Sequence, residues 1–207
     1  MKARCCAILS IILLPVPALA ETLQPTESYG SGVTRVSKGV KEIGLDSMLV
    51  VGYDKVGEAS SLRATLFTGP TFRYFLRDNL SLALNASFLY KTASAGDLGG
   101  QTDLGGLATV AVGYYASLGR GIFLKPQLGA GGFFGIRTIG KKPDELRSNI
   151  FGGTGRVGLG IVFYPSARFN VHAGPEAVVS FGKSNTPADG GFMSVDAGFN
   201  VGFTYVF

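Results

Sequence analysis

The chain has 207 residues, among them 31 glycines and no tryptophan; 46% are hydrophobic, only 16% are charged, and the formal net charge is +5. A soluble domain carries about 25% charged residues, so part of the outer surface is expected to meet something other than water. The small basic excess is spread along the chain, which excludes the concentrated patch of a nucleic-acid binder, and no run of 18 apolar residues follows residue 20, which excludes a spanning helix.

Residues 1–20 read as a secretory signal peptide. Lys2 and Arg4 make a positive start, Ala7 to Leu14 is an apolar run too short to span a membrane, and Ala18-Leu19-Ala20 fits small-x-small cleavage after Ala20. Both cysteines, Cys5 and Cys6, fall in this segment, so the mature chain is expected to hold no thiol, disulfide or cysteine metal site. Loss of Lys2 and Arg4 takes the net charge from +5 to +3. Residues 21–41 are polar, carry Pro25, Gly30, Gly32 and Gly39, and show no period, so they are expected to form a loose leader.

Eight segments of alternating type follow, at about 42–54, 60–76, 80–92, 102–115, 121–138, 148–164, 169–182 and 191–207. Helical periodicity is absent, so the fold class is all-β and residues 42–207 form one domain. Three connections are tight and polar: Arg77-Asp78-Asn79, Ser117-Leu118-Gly119-Arg120 and Pro165-Ser166-Ala167-Arg168. The other four, around 55–59, 93–101, 139–147 and 183–190, are mostly longer and rich in Gly, Ser, Lys and Asp. Short and long alternate, as in an up-and-down barrel with turns at one end and loops at the other. Pro126 and Pro175 fall inside strands on apolar faces, where each removes a ladder hydrogen bond and predicts a bulge or local distortion.

The even-numbered strands share an ending. Gly69 leads to Phe72, Tyr74 and Phe75; Gly113 to Tyr114 and Tyr115; Gly160 to Phe163 and Tyr164; Gly202 to Phe203, Tyr205 and Phe207. Aromatics recurring at the short-turn end predict an interfacial girdle. The last strand is the clearest: Val195, Ala197, Phe199, Val201, Phe203, Tyr205 and Phe207 form one face, against Asp196, Gly198, Asn200, Gly202, Thr204 and, as the one apolar exception, Val206.

The polar faces are crowded with Gly, Ser and Thr, and their charges balance: Arg63, Arg73, Lys91, Lys125, Arg137 and Arg156 against Glu42, Asp46, Asp54, Asp103, Glu176 and Asp196. An eight-stranded barrel has a filled interior, and buried charge must be paired there. An apolar face without central charge suits lipid. The pattern therefore predicts an eight-stranded antiparallel up-and-down transmembrane β-barrel. Its expected lumen network holds Arg63, Arg73, Lys125, Arg156, Asp46, Asp103, Glu176 and Asp196. A soluble ligand-binding barrel needs the opposite faces and is the competing architecture.

Chemistry is sparse. His172 is the only histidine; Glu176 and Ser180 share its face, but residues four apart on a strand lie about 13 Å apart, so no catalytic residue is assigned. One histidine and no mature cysteine argue against a zinc or other transition-metal site, and Gly129 to Gly135 lacks the helix that a phosphate cradle needs. No cofactor is expected. Asp97, Asp103, Asp144 and Glu145, or Lys141, Lys142 and Arg147, could touch divalent ions or lipopolysaccharide phosphates, but ordinary solvated loops are the preferred reading.

These features together — signal peptide, eight alternating strands, Gly-to-aromatic endings, a terminal aromatic — resemble the small outer-membrane β-barrel proteins, such as the OmpA transmembrane domain and the OmpX/Ail group. The resemblance covers about Glu42 to Phe207. It implies a bacterial outer-membrane location, a periplasmic leader, contact with outer-membrane lipid and lipopolysaccharide, and a monomer. It also implies that Phe203, Tyr205 and Phe207 act as the signal read by the barrel assembly machinery. The chain stops at the last strand, so the peptidoglycan-binding domain of OmpA is not expected, and the loops look shorter than an adhesin's. A non-enzymatic structural or surface-interaction protein is the expected function; a lipid-modifying hydrolase in a similar barrel is the alternative.

Overall fold

The computed structural model describes residues 34–56, 59–94, 100–140, 145–166, 168–185 and 191–207. The expected signal peptide, most of the leader, and Asp97, Lys141, Lys142 and Asp144 lie outside these residues. The strands are β1 (Lys41–Val56), β2 (Ala59–Arg77), β3 (Leu80–Ser94), β4 (Gly100–Tyr114), β5 (Ala116–Gly119), β6 (Ile122–Gly140), β7 (Leu146–Ser166), β8 (Phe169–Ser184) and β9 (Gly191–Val206). All pairings are antiparallel, in the order β4-β3-β2-β1-β9-β8-β7-β6-β5, and a further β4–β6 pairing closes the ring. Nine strands make eight staves, because β4 and β5 are successive parts of one stave.

Pro126 accounts for that break. The β4–β6 ladder ends at Gly113↔Gln127 and resumes between β5 and β6 at Ala116↔Leu124, with the offset unchanged. Pro126, opposite Tyr114 in this register, brings no N–H to the interval, while the β3 side of the stave runs on, the N–H of Tyr115 donating to the carbonyl of Asn79 (2.8 Å). Pro175 acts similarly: β7–β8 pairing jumps from Gly158↔Glu176 to Ile161↔Ala173 in the same register. Both prolines interrupt a ladder without making the bulge that is one of the two outcomes their positions allow. The register shifts fall at the short turns, between Phe75 and Arg77, Ser117 and Gly119, and Phe163 and Ser166. At one of these turns Arg120 and Gly121 both have positive φ (51° and 75°), the backbone that a two-residue hairpin with the right-handed strand twist requires.

Period two then sorts the side chains. Inward are Thr65, Phe67, Thr71, Arg73 and Phe75 on β2, and Val178, Glu176, His172 and Asn170 on β8; outward are Leu84 and Phe88 on β3, Leu128 and Phe134 on β6, and Val157 to Phe163 on β7. Among the described residues no charged side chain interrupts this outer face between the short-turn rim and Lys183 and Arg147 near the far end. On β7 the outward residues from Phe151 to Phe163 span about 40 Å of strand. At the usual tilt that projects to about 30 Å, close to the apolar band of a membrane barrel.

The aromatic endings divide between the two faces. Phe72, Tyr74, Tyr114, Phe163, Phe203, Tyr205 and Phe207 point outward, in keeping with a girdle, but Phe75, Tyr115 and Tyr164 are fully buried in the lumen. Adjacent residues on a strand must face opposite ways, so a pair such as Tyr114-Tyr115 cannot place both rings outside. The inward rings form an edge-to-face series, Phe75 to Tyr115 (5.0 Å), Tyr115 to Phe123 (6.0 Å) and Phe123 to Tyr164 (5.6 Å), the arrangement that ring quadrupoles favour.

Residues 34–40 are not the loose leader that their composition predicts. Val36, at 0% exposure, packs with Phe75, Tyr115, Phe123, Val162, Tyr164 and Val206 and covers the short-turn mouth. The Val36 N–H donates to Asn79 Oδ1 and its carbonyl accepts from the Asn79 N–H, both at 2.8 Å, while the Lys38 N–H donates to Asp78 Oδ1 at 2.9 Å. The turn that ends β2 thus supplies the partners that a leader without its own ladder lacks.

Candidate functional site

The chemistry-bearing residues lie inside the barrel, arranged in tiers. Just above the aromatic floor, Glu42 sits at 0% exposure and is ion-paired with Arg73. It also accepts hydrogen bonds from Tyr164 Oη (2.6 Å), Asn170 Nδ2 (2.9 Å) and Thr204 Oγ1 (3.3 Å). Those donors come from β7, β8 and β9, and Arg73 comes from β2, so one carboxylate ties five staves together. Four donors on two oxygens meet the acceptor capacity of an ionised carboxylate, which is what a buried charge requires.

Above it, His172 Nε2 lies 3.0 Å from Asp46 Oδ1 without the alignment of a hydrogen bond. Gly202 makes room for this contact: a Cβ there would stand 2.5 Å from Asp46 Oδ1 and 2.6 Å from His172 Nε2. Lys125 is buried at 2% exposure, its stem running past Gly113 and Gly160, and among the described residues it makes no ion pair. Arg156 meets Glu176 at 2.5 Å; Gln127 Nε2 also donates to Glu176 (3.1 Å), and Arg156 donates to Thr109 Oγ1 (3.3 Å).

An apolar tier follows, built from Met48, Val50, Phe67, Leu89, Leu107, Phe133, Ile150 and Val178 with Phe192 against it. Beyond it a second charged tier begins. Asp196 gathers Arg63 (3.5 Å), Lys91 (3.6 Å), Thr65 Oγ1 (3.3 Å) and Ser194 Oγ (3.3 Å). Asp103 is held by Arg137 through two hydrogen bonds (2.9 and 3.0 Å) and by Gln101 Nε2, and the Arg137 guanidinium lies 4.5 Å over the Phe192 ring.

All eight expected network residues therefore point inward. Seven have ionic or histidine partners; Lys125 does not. Asp103, also considered as a loop ligand for ions, belongs to this interior, and Glu145 sits beside Arg147 (3.5 Å) at the surface. Among the described residues, partly open lumen pockets such as those beside Arg156 and beside Arg137 have volumes of about 10 and 20 Å³, each about the space of a water molecule. Phe203, Tyr205 and Phe207 face outward at 50%, 46% and 46% exposure.

Sequence reasoning missed Tyr164, Asn170 and Thr204 as ligands of Glu42. It also missed the apolar tier, since Met48-Leu49-Val50-Val51 is apolar on both faces. Extending the inward parity from Arg156 to Tyr164, and from His172 to Asn170, was the signal available. As for chemistry, His172 Nε2 faces Asp46 rather than a serine, and the histidine is enclosed on the side of the wall away from the apolar exterior.

No family model matches this sequence, and no curated protein matches it. Solved structures do. The N-terminal β-barrel domain of Pseudomonas aeruginosa OprF is 18% identical, with 83% of this chain and 100% of that chain covered and a TM-score of 0.49. Neisserial surface protein A is 14% identical, covering 82% and 98%, with a TM-score of 0.48. Ail, the attachment invasion locus protein of Yersinia pestis, is 14% identical, covering 82% and 99%, with a TM-score of 0.46.

Proposed function

We propose that this chain is an integral β-barrel of the bacterial outer membrane, without enzymatic activity, serving a structural role or meeting partners through its long-loop end. The observation that carries this reading is the inversion of polarity across a closed wall. Among the described residues the exterior is an apolar belt without central charge, whereas the interior holds charge, most of it paired. In water this arrangement would expose the belt at great cost; in lipid the inter-strand pairing satisfies the backbone of the staves and the apolar belt meets hydrocarbon. The short turns then face the periplasm and the longer connections face out, towards lipopolysaccharide. The outward row Phe203, Tyr205 and Phe207 is available to the barrel assembly machinery as a terminal aromatic signal. The aromatic floor under Val36 and the small cavities favour a filled lumen over an open channel.

In an outer-membrane extract the protein is expected to migrate differently on gels before and after boiling, as closed barrels resist detergent unfolding. Recovery of the protein as a freely soluble periplasmic species would overturn the reading.

A further inference from the structure

The short-turn end carries a charge pattern that neither the lumen nor the apolar belt uses. Each corner of that end bears an exposed or half-exposed cation: Arg77 at the β2–β3 turn, Arg120 at the β5–β6 turn, Arg168 at the β7–β8 turn, and Lys41 where β1 meets the C-terminus. The capping segment adds Arg35 and Lys38. Among the described residues at this end the one exposed acidic side chain is Asp78, which lies 3.3 Å from Arg35, while Glu42 is buried in the lumen. The long-loop end balances in sequence, with Lys55, Lys141, Lys142, Arg147 and Lys183 against Glu58, Asp97, Asp144, Glu145 and Asp189.

The height of the corner cations follows from the register: Arg77 pairs with Leu80, which pairs with Tyr114, and Arg120 stands two residues before Ile122, which pairs with Phe163. Lys41 pairs in register with Tyr74, and its backbone exchanges hydrogen bonds with Phe207 (3.2 and 2.9 Å). Arg168 directly precedes Phe169, whose ring lies 6.2 Å from that of Phe203. A ring of cations thus sits one step beyond an outward aromatic belt. Aromatics of this kind lie at headgroup level, so the cations fall where headgroup phosphates would be, and basic residues at that level are attracted to anionic lipid.

We infer that this basic collar binds anionic phospholipid headgroups in the leaflet facing the short turns. The inference rests on the membrane reading above and adds a lipid preference confined to one end of the barrel. Phosphate oxygens would take the guanidinium and ammonium donors of the four corners.

The chain contains no tryptophan, so a single introduced one reports its own surroundings. Phe169→Trp marks the collar and Met193→Trp the opposite end, both at exposed positions. The full chain is placed in bilayers mixing phosphatidylcholine with phosphatidylglycerol, one or the other brominated to quench the indole. At Phe169→Trp phosphatidylglycerol should be preferred by at least about threefold, the preference falling with added salt. At Met193→Trp the two lipids should quench alike. Replacing Lys41, Arg77, Arg120 and Arg168 together by Gln should abolish the preference at the collar; Arg120→Gln or Arg168→Gln alone should reduce it, should the fourfold variant not fold. Equal quenching by both lipids at the collar would overturn the inference while leaving membrane residence intact. A preference that survives the Gln substitutions would overturn it too. Quenching by neither lipid at either position would instead overturn membrane residence itself. Co-sedimentation with isolated peptidoglycan that the fourfold variant loses, without any lipid preference, would assign the collar to that polymer and overturn the lipid assignment.

Discussion

The lower and upper charged tiers of the lumen solve the same problem in different ways. Around Glu42 the charges are shut away from solvent: the carboxylate and Arg73 are buried, and the donors come from paired strands. Around Asp196 the carboxylate is equally buried, but its ionic contacts are longer, at 3.5 and 3.6 Å, and its cations reach towards solvent, with 21% of the Arg63 side chain and 13% of the Lys91 side chain exposed. The difference lies in what each cation can do if its partner is lost. Arg73 is shut beneath the tiers above it and has nowhere to go, whereas Arg63 and Lys91 can extend their charged heads towards the open end.

Glu42→Ala should therefore have the largest effect. It strands Arg73 and frees three polar side chains at once, and is expected to destabilise the barrel by about 3–5 kcal/mol, read as a fall in the urea midpoint of the folded protein in lipid vesicles. Gly202→Ala tests the middle of the lower half without removing a charge. Its methyl must displace the His172–Asp46 contact, for an expected loss of about 1–3 kcal/mol on the same unfolding curve. Asp196→Ala should be mildest, at about 1 kcal/mol, because its cations can rehydrate. A loss as large as that of Glu42→Ala would show the upper tier to be as dry as the lower and erase the contrast.

Much of this arrangement was legible in the sequence, because period two is a strict rule. The inward positions of Arg63, Arg73, Lys125 and Arg156, and the outward row ending in Phe207, follow from alternation alone. What alternation cannot give is who pairs with whom. Tyr164 stands 122 residues from Glu42 and Asn170 stands 128, and only closure of the ring brings them together. The same limit hid the split among aromatics. Recurring endings invited a single assignment to Phe75, Tyr115 and Tyr164 together with their neighbours, although parity separates Tyr114 from Tyr115. Val36 was illegible for another reason: its burial depends on a mouth formed by six residues from five different strands or their junctions, and a single valine in a polar stretch carries no period.

The closing seam has a consequence of its own. Among the described residues β1 pairs with β2 at sixteen positions, but with β9 at eight, from Glu42↔Val206 to Leu49↔Phe199. Beyond that point the side chain of Arg63 reaches from β2 past β1, donating to the carbonyl of Val195 (3.2 Å) and approaching Asp196 on the far side. A hoop parts first at its shortest weld. Here that weld is fastened at the short-turn half by backbone and at the other half by a side-chain clasp, so unzipping should start from the loop end and run down to Leu49. Arg63 thus serves the rim as a latch as well as a neutralising charge.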